Sequence, residues 1–213
     1  MPPVAFDDLR AIYQNGQVRM TWDFPPNAPE TVHIYAVKSR KDQLELDLNS
    51  HIAKDLRECS SGYSFKYNSK SGNDVKMVEF CVYLSDHNET TPDVRALGQM
   101  RECFTSVITG QADVFYQIKS KPLGTGMVRT SFVLHSTADI DPGIIGYSYY
   151  FNDKEILVEF PGKIRSGITE YPPIILTDHA DPYVKVVTGL NSDIYVAQQK
   201  ISGWKSFLAR LIK

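Results

Sequence analysis

The residues that could do chemistry are few and scattered. Glu155 and Glu159 flank Ile156-Leu157-Val158. As strand residues they share one face but lie about 13 Å apart at ~3.3 Å per residue. A glycosidase pair needs roughly 5 to 9.5 Å, so both read as solvated strand positions. Two Asp-Pro elements, Asp139-Ile140-Asp141-Pro142-Gly143 and Asp178-His179-Ala180-Asp181-Pro182, place carboxylates two or three apart. Asp139, Asp141, Asp178 and Asp181 could offer oxygens to calcium, which wants six to eight of them. Asp before Pro is also ordinary turn chemistry. The turn is the leading expectation and a weak calcium site the lesser one; no other cofactor is expected.

The five histidines, His33, His51, His87, His135 and His179, include no i, i+4 pair, so zinc has no local support. Cys59, Cys81 and Cys103 are odd in number and too widely spaced for a zinc knuckle. They read as buried free thiols of a reducing compartment. None has an adjacent His or Lys to activate it, and Arg101 is the nearest cation to Cys103. Leu123-Gly124-Thr125-Gly126 has Arg129 where a dinucleotide fingerprint needs its third glycine, so it reads as a hairpin turn. No nucleophile elbow and no phosphate-binding loop occurs. In Gly146-Tyr147-Ser148-Tyr149-Tyr150-Phe151, three rings share a parity that assigns them to the core face. Tyr150 points the other way and, with Tyr63 and Tyr67, is a candidate platform for stacking a glycan.

The elements that must carry these residues are mostly strands. The chain has 213 residues, 42% apolar and 23% charged, with 12 Tyr and 12 Pro, a net charge of −2 and a pI near 6.2. That is ordinary for a globular protein. Nothing in the body forms the basic excess a nucleic-acid binder would show, so no nucleic acid is expected as partner. The start, MPPVAFDDLRAIYQ, has neither a basic n-region nor an apolar core, and no stretch reaches about 20 apolar residues. The expectation is a cytoplasmic chain as given, or an extracellular one if it is a fragment of a longer secreted protein, with Asn88-Glu89-Thr90 then a glycan acceptor.

Val18, Met20, Trp22 and Phe24 alternate with polar residues, a half-buried strand. The proline-rich corner PPNAP follows, then a second strand from Val32 to Lys38. Trp22 shares its face with apolar neighbours and reads as core. At an offset of 110, Val128 to Leu134 repeats Val18 to Phe24, with Phe132 on Trp22 and Leu134 on Phe24. Val114 and Tyr116 fall likewise on Val4 and Phe6, and Tyr147 and Tyr149 on Tyr35 and Val37 at an offset of 112. This reads as an internal duplication.

The stretch carrying Trp22, Pro25, Pro26, Pro29, Tyr35 and Val37 resembles a fibronectin type III domain, with Met77 to Leu84 as a strand toward the opposite edge. The resemblance covers about half of the first domain. It implies a binding or spacer module and no catalytic residues. The expected fold is mainly β: two tandem immunoglobulin/fibronectin-III-like sandwiches, residues 1–110 and 111–202, and a short C-terminal amphipathic helix, 203–213. A helical insertion is predicted at 41–58, where Leu48, Ile52 and Leu56 stand four apart.

The tail puts Trp204, Phe207, Leu208 and Leu211 on one helical stripe, with Lys205, Arg210 and Lys213 off it. It is the expected contact with a membrane surface or a partner groove, unless it docks on the second domain. The leading functional expectation is a non-catalytic tandem sandwich that binds a protein or spaces domains. The alternative is a glycan-binding accessory portion of a polysaccharide-degrading enzyme, a glycoside hydrolase. A hydrolase with its site at the domain junction is the third reading.

Overall fold

The structure is a computed structural model and describes residues 3–40, 43–67, 74–86, 92–187 and 193–199. The predicted tail helix, with Trp204, Lys205, Phe207, Leu208, Arg210 and Leu211, lies outside the described residues. The described residues fall into two compact units. One is drawn from Met1–Asn68 and Met77–Thr109, the other from Ser69–Lys76, Gly110–Gly189 and Asp193–Lys213. Both are built almost entirely of strands.

In the first unit, β1 (Asp7–Gln14), β2 (Gln17–Asp23) and β5 (Tyr63–Lys66) form one antiparallel sheet. β3 (Thr31–Ser39), β4 (Glu45–Asp55), β6 (Lys76–Ser85) and β7 (Phe104–Thr109) form a second, in the order β4-β3-β6-β7. Alternation puts Val18, Met20 and Trp22 of β2 on one inner face. Val32, Ile34 and Ala36 of β3 and Phe80, Val82 and Leu84 of β6 meet them there in one core. Trp22 is 5% exposed and packs 4.7 Å from the Phe6 ring. Three strands facing four around such a core is the sandwich arrangement of fibronectin type III and immunoglobulin-like domains.

The four-stranded sheet is apolar on its other face as well. Tyr35, Cys81 and Tyr83 lie there under Leu97 and Cys103. Leu97 comes from the one-turn helix α1 (Val94–Leu97), capped by the Asp93 carboxylate, and Cys103 from the 3-10 turn Arg101–Cys103. The connection from β6 to β7 thus folds back as a cover, which is why β3 and β6 read as nearly unbroken apolar runs.

The described residues of the stretch 41–58 are not a helical insertion. Glu45–Asp55 is β4, followed by the 3-10 turn Leu56–Cys59. Leu44 and Leu46 are buried two apart, and Leu48, the first member of the supposed stripe, is 67% exposed. Between Ile34↔Ile52 and Ala36↔Asp47 the β3–β4 ladder skips four residues of β4. Ser50 bridges that bulge: its Oγ accepts from Ala36 N and donates to Asp47 O. A helix-like spacing of leucines and isoleucine is produced here by a bulge.

In the second unit, β8 (Gln111–Gly124) and β9 (Met127–Ser136) form a long hairpin. Gly124, Thr125 and Gly126 all have positive φ in its turn. β12 (Gly167–Glu170) and β13 (Ile174–Thr177) pair with the far edge of β9, and β15 (Asp193–Gln198) runs parallel to β8. The opposing sheet has the order β11-β10-β14, from β10 (Ile145–Phe151), β11 (Lys154–Glu159) and β14 (Tyr183–Val186). Phe132 of β9 stacks on Tyr147 of β10 at 4.7 Å, and Phe160 closes on both. Tyr147 is buried and Tyr149 half-buried, but Phe151 leaves the core at the strand end, 50% exposed.

Candidate functional site

The outer face of β11-β10-β14 carries the most organised exposed group of side chains. Antiparallel register puts Tyr150 opposite Glu155 and Ser148 opposite both Leu157 and Tyr183. Glu155 is the hub. Tyr183 donates its phenol and Lys185 its ammonium to the same carboxylate oxygen, each at 2.6 Å. Those two donors, Lys185 first, hold the Glu155 carboxyl down at about 2. The same contact raises the Tyr183 phenol and the Lys185 ammonium. Glu155 is an exposed strand residue, as the sequence predicts, and is in addition hydrogen-bonded and ion-paired. Its partners sit 28 and 30 residues away, and the pairing of β10 with both β11 and β14 brings them near. Around this fixed charge stand Tyr150 (47% exposed) and Leu157 (41%).

Of the three tyrosines proposed as a glycan platform, Tyr150 alone is exposed. Tyr63 and Tyr67 belong to the first unit and are half-buried against its core. Tyr67 meets Phe80 edge-on at 5.5 Å, and burial raises its phenol. Tyr63 stacks on Phe65.

The acidic turns hold cations of the protein itself. Lys163 Nζ reaches Asp74, Asp139 and Asp141 at 3.8, 3.3 and 3.8 Å. Asp139 also accepts from Ser166 N and from Arg165, and these bonds lower its carboxyl. Asp178 lies 3.2 Å from His179, and Asp181 takes a positive φ at its turn. Among the described residues no group of three or more metal-ligating side chains converges.

In the first unit the β4 bulge does something the sequence does not reveal: it joins two histidines 18 residues apart. His33 Nδ1 and His51 Nε2 are 3.0 Å apart, and Ser85 Oγ lies 3.0 Å from His33 Nε2. The imidazole planes differ by 5° with centroids 5.3 Å apart. The centroids exceed the nitrogens in separation by about two ring radii, so each nitrogen points straight at the other. That is an in-line N–H···N hydrogen bond, with no lone pairs converging on a third point as a metal chelate requires. The Ser-His-His order imitates a nucleophile and its base. Ser85, however, is fully buried, and the two rings stack on tyrosines, His33 on Tyr83 and His51 on Tyr35. The thiols are no better placed. Burial, then the neighbouring Cys103, raises Cys81, and burial pushes Cys103 up to about 12. Buried protonated thiols are inert.

No protein-family model matches the chain, and no curated protein matches it. Among solved structures, the chain is similar to the FN1-FN3 domains of chicken CNTN1 at 12% identity and a TM-score of 0.31, over 89% of this chain and 62% of that one. It thus spans less than two thirds of that structure's length. It is also similar to the chicken interferon gamma receptor alpha chain at 8% identity and a TM-score of 0.24, over 86% of this chain and 98% of that one.

Proposed function

We propose that the chain is a non-catalytic β-sandwich protein that binds another protein through the outer face of β11-β10-β14. The observation that carries this reading is the Glu155–Tyr183–Lys185 cluster beside exposed Tyr150 and Leu157. Interface hot spots pair an aromatic anchor with polar groups whose geometry is set before the partner arrives. His33, Ser85 and the thiols of the first unit are buried, and the acidic turn at Asp139 and Asp141 is engaged by Lys163 and Arg165.

The test replaces Tyr150 by a photo-crosslinking phenylalanine in the full chain. The expected product is a discrete protein adduct, suppressed by excess wild type and not by a Tyr150→Ser/Leu157→Ser variant. An adduct competed equally by both would refute this face as the binding surface. Tyr150 also keeps the glycan reading in play, since an exposed ring beside a carboxylate suits a sugar. Retention on a polysaccharide panel that is lost in Tyr150→Ser would replace the protein reading with that one.

A further inference from the structure

The opposite sheet of the second unit carries an independent feature. Lys119 and Lys121 of β8 and Arg129 of β9 are exposed on one face, and none makes an ion pair among the described residues. Lys121 and Arg129 are direct cross-strand partners. Like charges placed so are unfavourable, and among the described residues the one carboxylate lining their groove is Glu170. The cations line a groove of about 420 Å³ with Tyr171 and Pro173. The groove exists because the far edge of β9 is paired with β12 only to Glu170 and with β13 only from Ile174. Pro172 and Pro173 fall between, where a strand would need N–H groups.

On its other side β8 has no partner beyond Tyr116 among the described residues. Its parallel partner β15 ends at Gln198↔Tyr116, and Gln199 N donates to Tyr116 O. With period two, Ile118 and Ser120 then turn N–H and C=O to that same edge, unpaired among the described residues. Pro122 falls in the same phase. Proline is tolerated there because an edge strand has no ladder bond to lose.

We propose that β8 at Ile118–Lys121 receives an extended acidic segment of a partner protein, added as a strand, with alternate carboxylates on Lys119 and Lys121 and with Arg129 on the neighbouring strand adding to the positive field. Side chains two apart in an extended peptide are about 6.6–7 Å apart, the same repeat that separates Lys119 from Lys121. Charge complementarity selects the occupant. The chain's own residues 200–213, with four Lys or Arg and no acid, carry no side-chain carboxylate to match it.

The test measures fluorescence anisotropy of a labelled eight-residue peptide of alternating Glu and Thr with the full chain. A peptide of equal composition with its glutamates in one block is the comparison. Saturable binding is expected to weaken at least tenfold for the block order, and at least tenfold in Lys119→Ser/Lys121→Ser/Arg129→Thr. That variant should melt no lower than wild type, because it removes repulsion. Tyr150→Ser should bind the peptide normally, which separates this surface from the one on β11-β10-β14. Equal affinity for both peptides, or for wild type and triple variant, would overturn the proposal. So would tighter binding of a sulfated polysaccharide or of single-stranded DNA at the same lysines.

Discussion

Trp22→Ala tests the first unit at its centre. The indole is 5% exposed, between the Phe6 ring and the apolar faces of β3 and β6. Burying a ring of roughly 200 Å² at ~25 cal/mol per Å² contributes about 5 kcal/mol as an upper bound. Alanine retains a little of that and leaves a cavity, so the expected loss is about 3–5 kcal/mol. With a urea slope of about 1–3 kcal/mol per molar, the midpoint of the affected transition should fall by roughly 2 M. Far-UV circular dichroism is the suitable probe, because the substitution removes one of only two tryptophans. A second substitution sharpens the reasoning. The Trp22 Nε1–H is buried with no acceptor. Trp22→Phe gives up part of the ring but also removes that stranded donor, which costs about 1–3 kcal/mol to bury. It should therefore destabilise by about 1 kcal/mol or less. An unchanged midpoint for Trp22→Ala would show that the residue is not core. A Trp22→Phe loss as large as that of alanine would show that the indole donor is satisfied.

Burial lowers both His51 and His135 below the ordinary 6.5. The folded chain therefore binds fewer protons than the unfolded one, and stability present above about pH 6.5 is lost as pH falls below it. The urea midpoint should drop between about pH 7.5 and 5.5, less steeply in His51→Gln; a flat or rising midpoint contradicts this. Glu155→Gln removes the carboxylate whose hydrogen bond first, and then whose charge, raises Tyr183, so spectrophotometric titration should show one phenol ionising at lower pH, and an unshifted titration would deny the contact. Cys81 and Cys103, buried and held protonated, should resist a thiol reagent in the folded chain and react on unfolding; prompt labelling at neutral pH would disprove their burial.

What the sequence discloses depends on how local the cause is. β2 is legible because one buried face imposes strict alternation on Val18 to Trp22, whereas β9 is less regular because Val133 is buried on its opposite face. The hairpin turn at Gly124–Gly126 is legible because it needs positive φ. β4 is not, because its bulge is fixed by a Ser50 bridge to Ala36, 14 residues away. The cationic cluster lay within reach. The turn at Leu123–Gly126 sets a register that places Arg129 opposite Lys121, but a net charge of −2 hides three local cations. Glu155 and the histidine row are invisible to any local reading, since each joins residues through strand pairing over 18 to 30 positions.

The outer faces of the corresponding sheets explain why binding is assigned to the second unit. The order β4-β3-β6 of the first unit recurs as β11-β10-β14. In the first unit the outer face holds Tyr35, Cys81 and Tyr83, and the protein closes it with Leu97 and Cys103. A face covered by its own chain has little apolar surface left to offer a partner. In the second unit the outer face of the sheet holds Ser148 and Tyr150, flanked by Leu157, Glu155 and Tyr183; Tyr147, which the 112-residue offset sets on Tyr35, faces the core instead. Here Tyr150 and Leu157 stay exposed, and polar bonds rather than a covering segment fix the geometry. The contrast predicts that grafting Tyr35, Cys81 and Tyr83 onto the second unit's face would aggregate it. It also predicts that replacing Leu97 by Ser would destabilise the first unit by about 2–5 kcal/mol, by stripping its cover from an apolar face. If Leu97→Ser left the melting curve of the full chain unchanged, the segment 92–103 would not be a structural cover, and the first unit would become the better candidate for the binding face.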